Sequence, residues 1–73
     1  MATKIPLSHR FQSTRVDAAT YDPDRAEISV VFVDGVAWKY RRADRRTWLG
    51  FIRAGSAGRY IKDTLDLLPN GPA

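Results

Sequence analysis

The stretch from Glu27 to Arg42, reading E-I-S-V-V-F-V-D-G-V-A-W-K-Y-R-R, limits most strongly what this chain can fold into. Two β-prone runs flank an Asp-Gly dipeptide, the strongest short-range hairpin signal a sequence carries. Two registers compete. With Asp34-Gly35 as a two-residue type I′ turn, Val33 faces Val36, and Trp38 and Tyr40 share a face with Val31 and Ser29, which would leave an exposed aromatic pair suited to stacked bases. With Val33-Asp34-Gly35 as a three-residue loop and Gly35 as a left-handed bulge, Phe32 faces Val36, Val30 faces Trp38 and Ile28 faces Tyr40. The second register is preferred. It gathers the large apolar residues on one face and sets Glu27 against Arg41 and Ser29 against Lys39 on the other, worth about 0.2–1 kcal/mol per good cross-strand pair.

A chain of 73 residues has room for one domain. One so short buries only about 60% of the surface its unfolded form exposes, so marginal stability or a homodimer is expected. It has no cysteine, hence no disulfide framework or thiolate metal site, which fits a reducing cytoplasm. No run approaches the ~18 apolar residues of a membrane span, and Met1 to Phe11 lacks the apolar core of a signal peptide, so a cytoplasmic, membrane-free location is expected. The charge is unevenly placed. Between Trp38 and Lys62 lie eight basic residues against one acid, Asp44, a net +7 in a chain whose total is +4. The remainder carries −3, a split that aims a field at an anionic partner unless the cluster is simply a solvated face.

In chain order, residues 1–12 show no sustained period and contain Pro6, so they read as a flexible arm, with the domain at 13–68 and a disordered tail at 69–73. Arg15 to Tyr21 reads as a strand ending at the Asp22-Pro23-Asp24 turn, and Ala26 to Val33 as the next. Asp44 can cap a helix of R-R-T-W-L-G-F-I-R-A in which Trp48, Phe51 and Ile52 share a face and Gly55 stands at the end. Arg45, Arg46 and Arg53 then face out, the first two opposing the positive end of the helix dipole by a few tenths of a kcal/mol. Ser56 can cap a second helix, A-G-R-Y-I-K-D-T-L-D-L-L, with Ile61, Leu65 and Leu68 on one face and Pro69 as its stop. The expected architecture is α+β: a three-stranded antiparallel β-meander followed by two helices packed on one face, βββαα.

These residues carry a family resemblance. Tyr21-Asp22, Ile28-x-Val30-x-Phe32-x-Asp34-Gly35, Trp38-x-Tyr40 and Ala54-x-Ser56-x-Gly58-x-Tyr60, in that order and spacing, resemble the KTSC domain. That family is a module of roughly sixty residues, found alone in bacterial and phage proteins and at the C-terminus of some lysyl-tRNA synthetases. The resemblance runs from about Val16 to Leu68. Trp38 stands where the family's Tyr-x-Tyr motif has its first tyrosine, and Arg42-Ala43 where a Val-Pro pair commonly precedes the first helix. Company with a tRNA synthetase implies RNA as a ligand, but a fold does not by itself assign a function.

The side chains argue against an enzyme. His9, the only histidine, lies in the arm without an assured partner, and Asp17, Asp22 and Asp24 flank a turn without the glycine and further ligands of a calcium loop. No phosphate-binding glycine loop is present, so neither a cofactor nor a metal is expected. Aromatic and basic residues interleave at Trp38-Lys39-Tyr40-Arg41-Arg42, with Arg45-Arg46 following. Strand alternation puts Trp38 and Tyr40 either in the core or on a stacking platform. Ser56-Ala57-Gly58-Arg59-Tyr60 is a second candidate: a capped helix start with glycine in its first turn leaves N–H groups open to phosphate, with Arg59 beside them. The structural alternative is that Gly55 and Gly58 only let the helices turn tightly and approach the sheet. Gly58 costs up to ~1 kcal/mol relative to alanine, which asks for close packing or a ligand. Two functions stay open. One is a non-enzymatic binder of RNA or a nucleotide-like phosphate, using Lys39, Arg41, Arg42, Arg45, Arg46, Ser56, Gly58, Arg59 and Tyr60; nine arginines against three lysines suit phosphate recognition and acidic protein surfaces equally. The other is a protein-interaction module, such as a small phage protein acting on a host factor, or a self-assembling dimer.

Overall fold

The computed structural model describes residues 6–73, so the first five residues of the expected arm lie outside it. At the centre stands the hairpin, in the bulged register. Strands β3 (Glu27–Phe32) and β4 (Ala37–Tyr40) pair Ile28 with Tyr40, Ser29 with Lys39 and Val30 with Trp38. The Phe32 N–H donates to the Val36 carbonyl and the Gly35 N–H to the Phe32 carbonyl, both at 2.9 Å, closing the loop Val33-Asp34-Gly35. Gly35 has φ 91°, a left-handed conformation that glycine adopts without Cβ strain. The Asp34 carboxylate accepts the Val36 N–H at 3.0 Å and holds the turn.

Strand β2 (Val16–Asp22) pairs antiparallel with β3, and an irregularity between Val16 and Ala18 keeps Val16, Ala19 and Tyr21 all buried. Two further strands correct the three-strand expectation. In the expected arm, β1 (Ser8–Arg10) pairs with β2, and in the expected tail, β5 (Asn70–Pro72) pairs with β4. The described residues thus form a five-stranded antiparallel meander in the order β1-β2-β3-β4-β5. Each added strand has three residues and the last contains Gly71 and Pro72, so neither carries an alternating pattern long enough to read.

Helix α1 (Arg45–Arg53) begins where Asp44 accepts the Thr47 N–H and hydroxyl, both at 2.8 Å. Its inner face is Trp48 and Phe51, both fully buried, with Ile52 half-buried beside them. It ends at Ala54 in extended conformation, so Gly55 supplies no left-handed cap. Trp48 stacks on Tyr21 with centroids 5.5 Å apart, and its indole N–H donates to the Pro6 carbonyl at 2.7 Å. Phe11 packs on Phe51 at 4.8 Å. Residues assigned to a loose arm therefore close one side of the core. Helix α2 (Ala57–Asp63) stops short of the expected Leu68 and passes into a 3₁₀ turn at Leu65–Leu67. Pro69 bars helical geometry at Leu68, and the chain must unwind to bring β5 back beside β4. Ile61 and Leu65 are still buried, and Leu68 packs at the margin. Both helices cover the sheet face formed by Tyr21, Ile28, Val30 and Tyr40, and among the described residues no helix is long and apolar enough to cross a membrane.

Candidate anion-binding site

The basic residues between Trp38 and Lys62 do not form one surface. Lys39 and Arg41 sit on the sheet face turned away from the helices, and both reach Glu27, at 3.5 and 3.8 Å. The expected Glu27–Arg41 pairing is present, and Glu27 offsets part of the positive charge on that face. Arg42 lies at the bend into α1 with φ 58°, a left-handed conformation that costs a non-glycine residue on the order of 1 kcal/mol. It is held by its neighbour. The Ala43 N–H donates to the carbonyl of Ala26, itself at φ 53°, and the Ala43 carbonyl accepts the Tyr21 hydroxyl at 2.9 Å.

Trp38 and Tyr40 point into the core side of the sheet, as the bulged register requires, and do not form a stacking platform. Tyr40 is 2% exposed. Burial, and secondarily the nearby Asp66 carboxylate, push its hydroxyl up to about 12, with Arg15 opposing. Trp38 is half-buried at the rim, its indole N–H donating to the Asn70 side chain at 3.0 Å.

What remains is a groove along the outer side of α1, about 530 Å³ in volume and lined by Arg45, Arg46, Leu49, Gly50 and Arg53. Helical spacing creates it. Positions 45, 49 and 53 form one row and 46, 50 and 53 the adjoining one, opposite the buried Trp48 and Phe51. None of the three arginines makes an ion pair among the described residues. The floor is small and apolar because Gly50 has no side chain. A Cβ there would lie 2.6 Å from the Tyr60 hydroxyl, which donates to the Thr47 carbonyl at 3.0 Å. Asp44, the residue before α1, has its carboxyl held below the usual range first by the Thr47 N–H and then by the Thr47 hydroxyl. As a cap it places negative charge where the helix dipole favours it, which offsets the unfavourable placement of Arg45 and Arg46.

The second candidate is weaker on geometry. A hollow of about 460 Å³ is lined by Ala54, Gly55, Ser56, Arg59, Tyr60, Asp63 and Thr64, so a carboxylate faces the same space as Arg59. Ser56 caps α2 by accepting the Arg59 N–H at 3.3 Å, which already occupies one of the open donors. A Cβ at Gly58 would meet Arg15 Cδ at an ordinary 3.6 Å, and one at Gly55 would meet nothing within 4 Å. Close packing therefore explains neither glycine. Gly50, which sequence reasoning passed over, is the glycine that packing requires. Its signal was faint, because the partner that fills the space, Tyr60, comes from the other helix.

A small α+β meander with both helices on one face, and an arginine-lined helix exposed beyond them, is the class of structure these residues define. The KTSC domain model matches residues 12–66, and the chain belongs to that family. A crystal structure of a KTSC domain protein from Yersinia pestis is similar to it, with a TM-score of 0.81 and 22% identity, over 90% of this chain and 94% of that one. That likeness shows the fold. Among curated proteins no significant sequence match was found.

Proposed function

We propose that the chain is a small non-enzymatic module that binds RNA or a nucleotide-like phosphate ligand through the groove of α1. The observation that carries the reading is the gathering of Arg45, Arg46 and Arg53 along one groove, with none of them in an ion pair among the described residues. Unpaired guanidiniums cost little while solvated, and each offers a planar fork of donors that matches phosphate geometry. The groove can hold an anion.

The test is binding of a labelled oligonucleotide over a salt series. Replacing Arg45 and Arg46 by alanine should weaken binding to every sequence alike and lower the salt slope by ~0.7 per lost contact on a single strand, or ~0.9 on a duplex. The fold should hold, or gain a few tenths of a kcal/mol as cations leave the helix start. A wild-type protein with no salt-dependent binding at micromolar concentration sinks the reading.

A second reading, a protein-docking module, is favoured by the hairpin tip. There Val33 is 57% and Val36 48% exposed, next to Phe32, around a hollow of about 280 Å³ that Thr14 and Arg15 complete. Exposed apolar groups gathered in one place suit a protein contact better than a phosphate.

A further inference from the structure

The distance spanned by the α1 arginines, taken with what lies between them, narrows the ligand. Arg46 and Arg53 are seven residues apart and Arg45 and Arg53 eight, which at ~1.5 Å per residue separates their backbones by about 10–12 Å. Leu49 and Gly50 occupy the floor between the two ends, and like charges on the flanking guanidiniums hold them apart. One phosphate meets both ends only if the side chains turn inward over that floor against this repulsion; splayed apart, they meet two. The splayed arrangement on backbones so spaced favours two phosphates separated by more than a single sugar.

We propose that the groove grips a single-stranded phosphodiester chain at two points. Arg45 and Arg46 hold one phosphate and Arg53 another, with at least one nucleotide bridging the Leu49-Gly50 floor, so that about three nucleotides are the shortest segment held by all three arginines. This rests on the phosphate-binding reading above and adds the form and length of the ligand. An RNA duplex fits poorly. The nine residues of α1 extend only about 13.5 Å, whereas proteins that take double-stranded RNA by shape span ~16 base pairs across two minor grooves, and the A-form major groove is too narrow for side chains to read. A flexible strand, by contrast, can bend into a short groove and set its backbone on the cationic ends. The lining supplies donors and an apolar floor and no acceptor for a ribose hydroxyl, so RNA and DNA strands should bind comparably.

The experiment is a competition series at one low salt concentration. Unlabelled adenosine diphosphate, 5′-phosphorylated uridine oligomers of two, three, four and six nucleotides, the matching thymidine series, an RNA duplex of about sixteen base pairs and an acidic helical peptide with carboxylates seven residues apart each displace a labelled single-stranded 12-mer. Adenosine diphosphate and the dinucleotides should compete weakly. Affinity should step up by about tenfold where the oligomer first reaches both ends of α1, alike for uridine and thymidine, with the duplex and the peptide weaker than the hexamer. In Arg53→Ala the step should vanish while the dinucleotide is little changed. A smooth rise with length, a step that persists in Arg53→Ala, or preferred binding of the duplex or the peptide overturns the inference. In the first two cases single-strand binding itself remains, so the phosphate-binding reading stands; failure of the 12-mer to bind at all removes both.

Discussion

Among single residues, Gly50 sets both the packing of the helix layer and the floor of the groove. Its missing Cβ makes room for the Tyr60 hydroxyl, and Tyr60 in turn stacks on Phe51 with centroids 5.7 Å apart. Alanine at this position would gain up to ~1 kcal/mol of helix propensity, yet it would force apart two helices in a packed seam. Overpacking typically costs ~1–3 kcal/mol, so Gly50→Ala should lower stability in a urea melt. Tyr60→Phe removes the nearest atom of the clash. The loss from Gly50→Ala should therefore be smaller when introduced into Tyr60→Phe, and strict additivity of the two would show that the close approach is not what glycine is there for. The residues read best from sequence were those whose role is local. Asp44 and Ser56 accept N–H groups three residues on, as their positions before apolar runs suggested. Roles that depend on another element, such as Gly50 against Tyr60 or Glu27 reaching both Lys39 and Arg41, leave little trace in order along the chain.

At the scale of elements, the hairpin was legible and the sheet edges were not. Asp34-Gly35 fixed the turn, and six large apolar residues could share a face in only one register, so Val30 meets Trp38 as expected. The edges β1 and β5 are three residues long each and form only because β2 and β4 are already in place to receive them. Yet β1 is more than decoration. The stretch leading into it carries the Pro6 carbonyl that satisfies the Trp48 indole, while Phe11 just beyond covers Phe51. Deleting residues 1–10 should leave the N–H of a buried tryptophan without its partner, a cost of ~1–3 kcal/mol beyond the loss of strand pairing. Trp48→Phe should then be less harmful in the truncated protein than in the whole chain, measured as a double-mutant cycle by chemical denaturation. Equal costs in the two backgrounds would contradict a structural role for that hydrogen bond. The extent of α2 was also missed, because Ile61, Leu65 and Leu68 keep their inward placement across the change from α to 3₁₀ geometry.

For the whole molecule, the sequence located the positive charge in one segment but not on one surface. Strand alternation sends Lys39 and Arg41 to the open sheet face, where Glu27 meets them, while helical periodicity sends Arg45, Arg46 and Arg53 to the far side of the helix layer. The sheet stands between these two sets, so a +7 segment resolves into one face paired to Glu27 and one groove whose arginines make no ion pair among the described residues. The hairpin tip adds a third, apolar surface that charge counting does not reveal. Which of the three meets a ligand is the central question, and amide chemical-shift mapping of the labelled protein during titration with a single-stranded hexanucleotide answers it directly. The account predicts saturable shifts confined to Arg45–Arg53 and the residues touching Gly50, fading as salt is raised. Shifts centred on Val33–Val36 or on the Glu27, Lys39 and Arg41 face, with α1 unmoved, would contradict it.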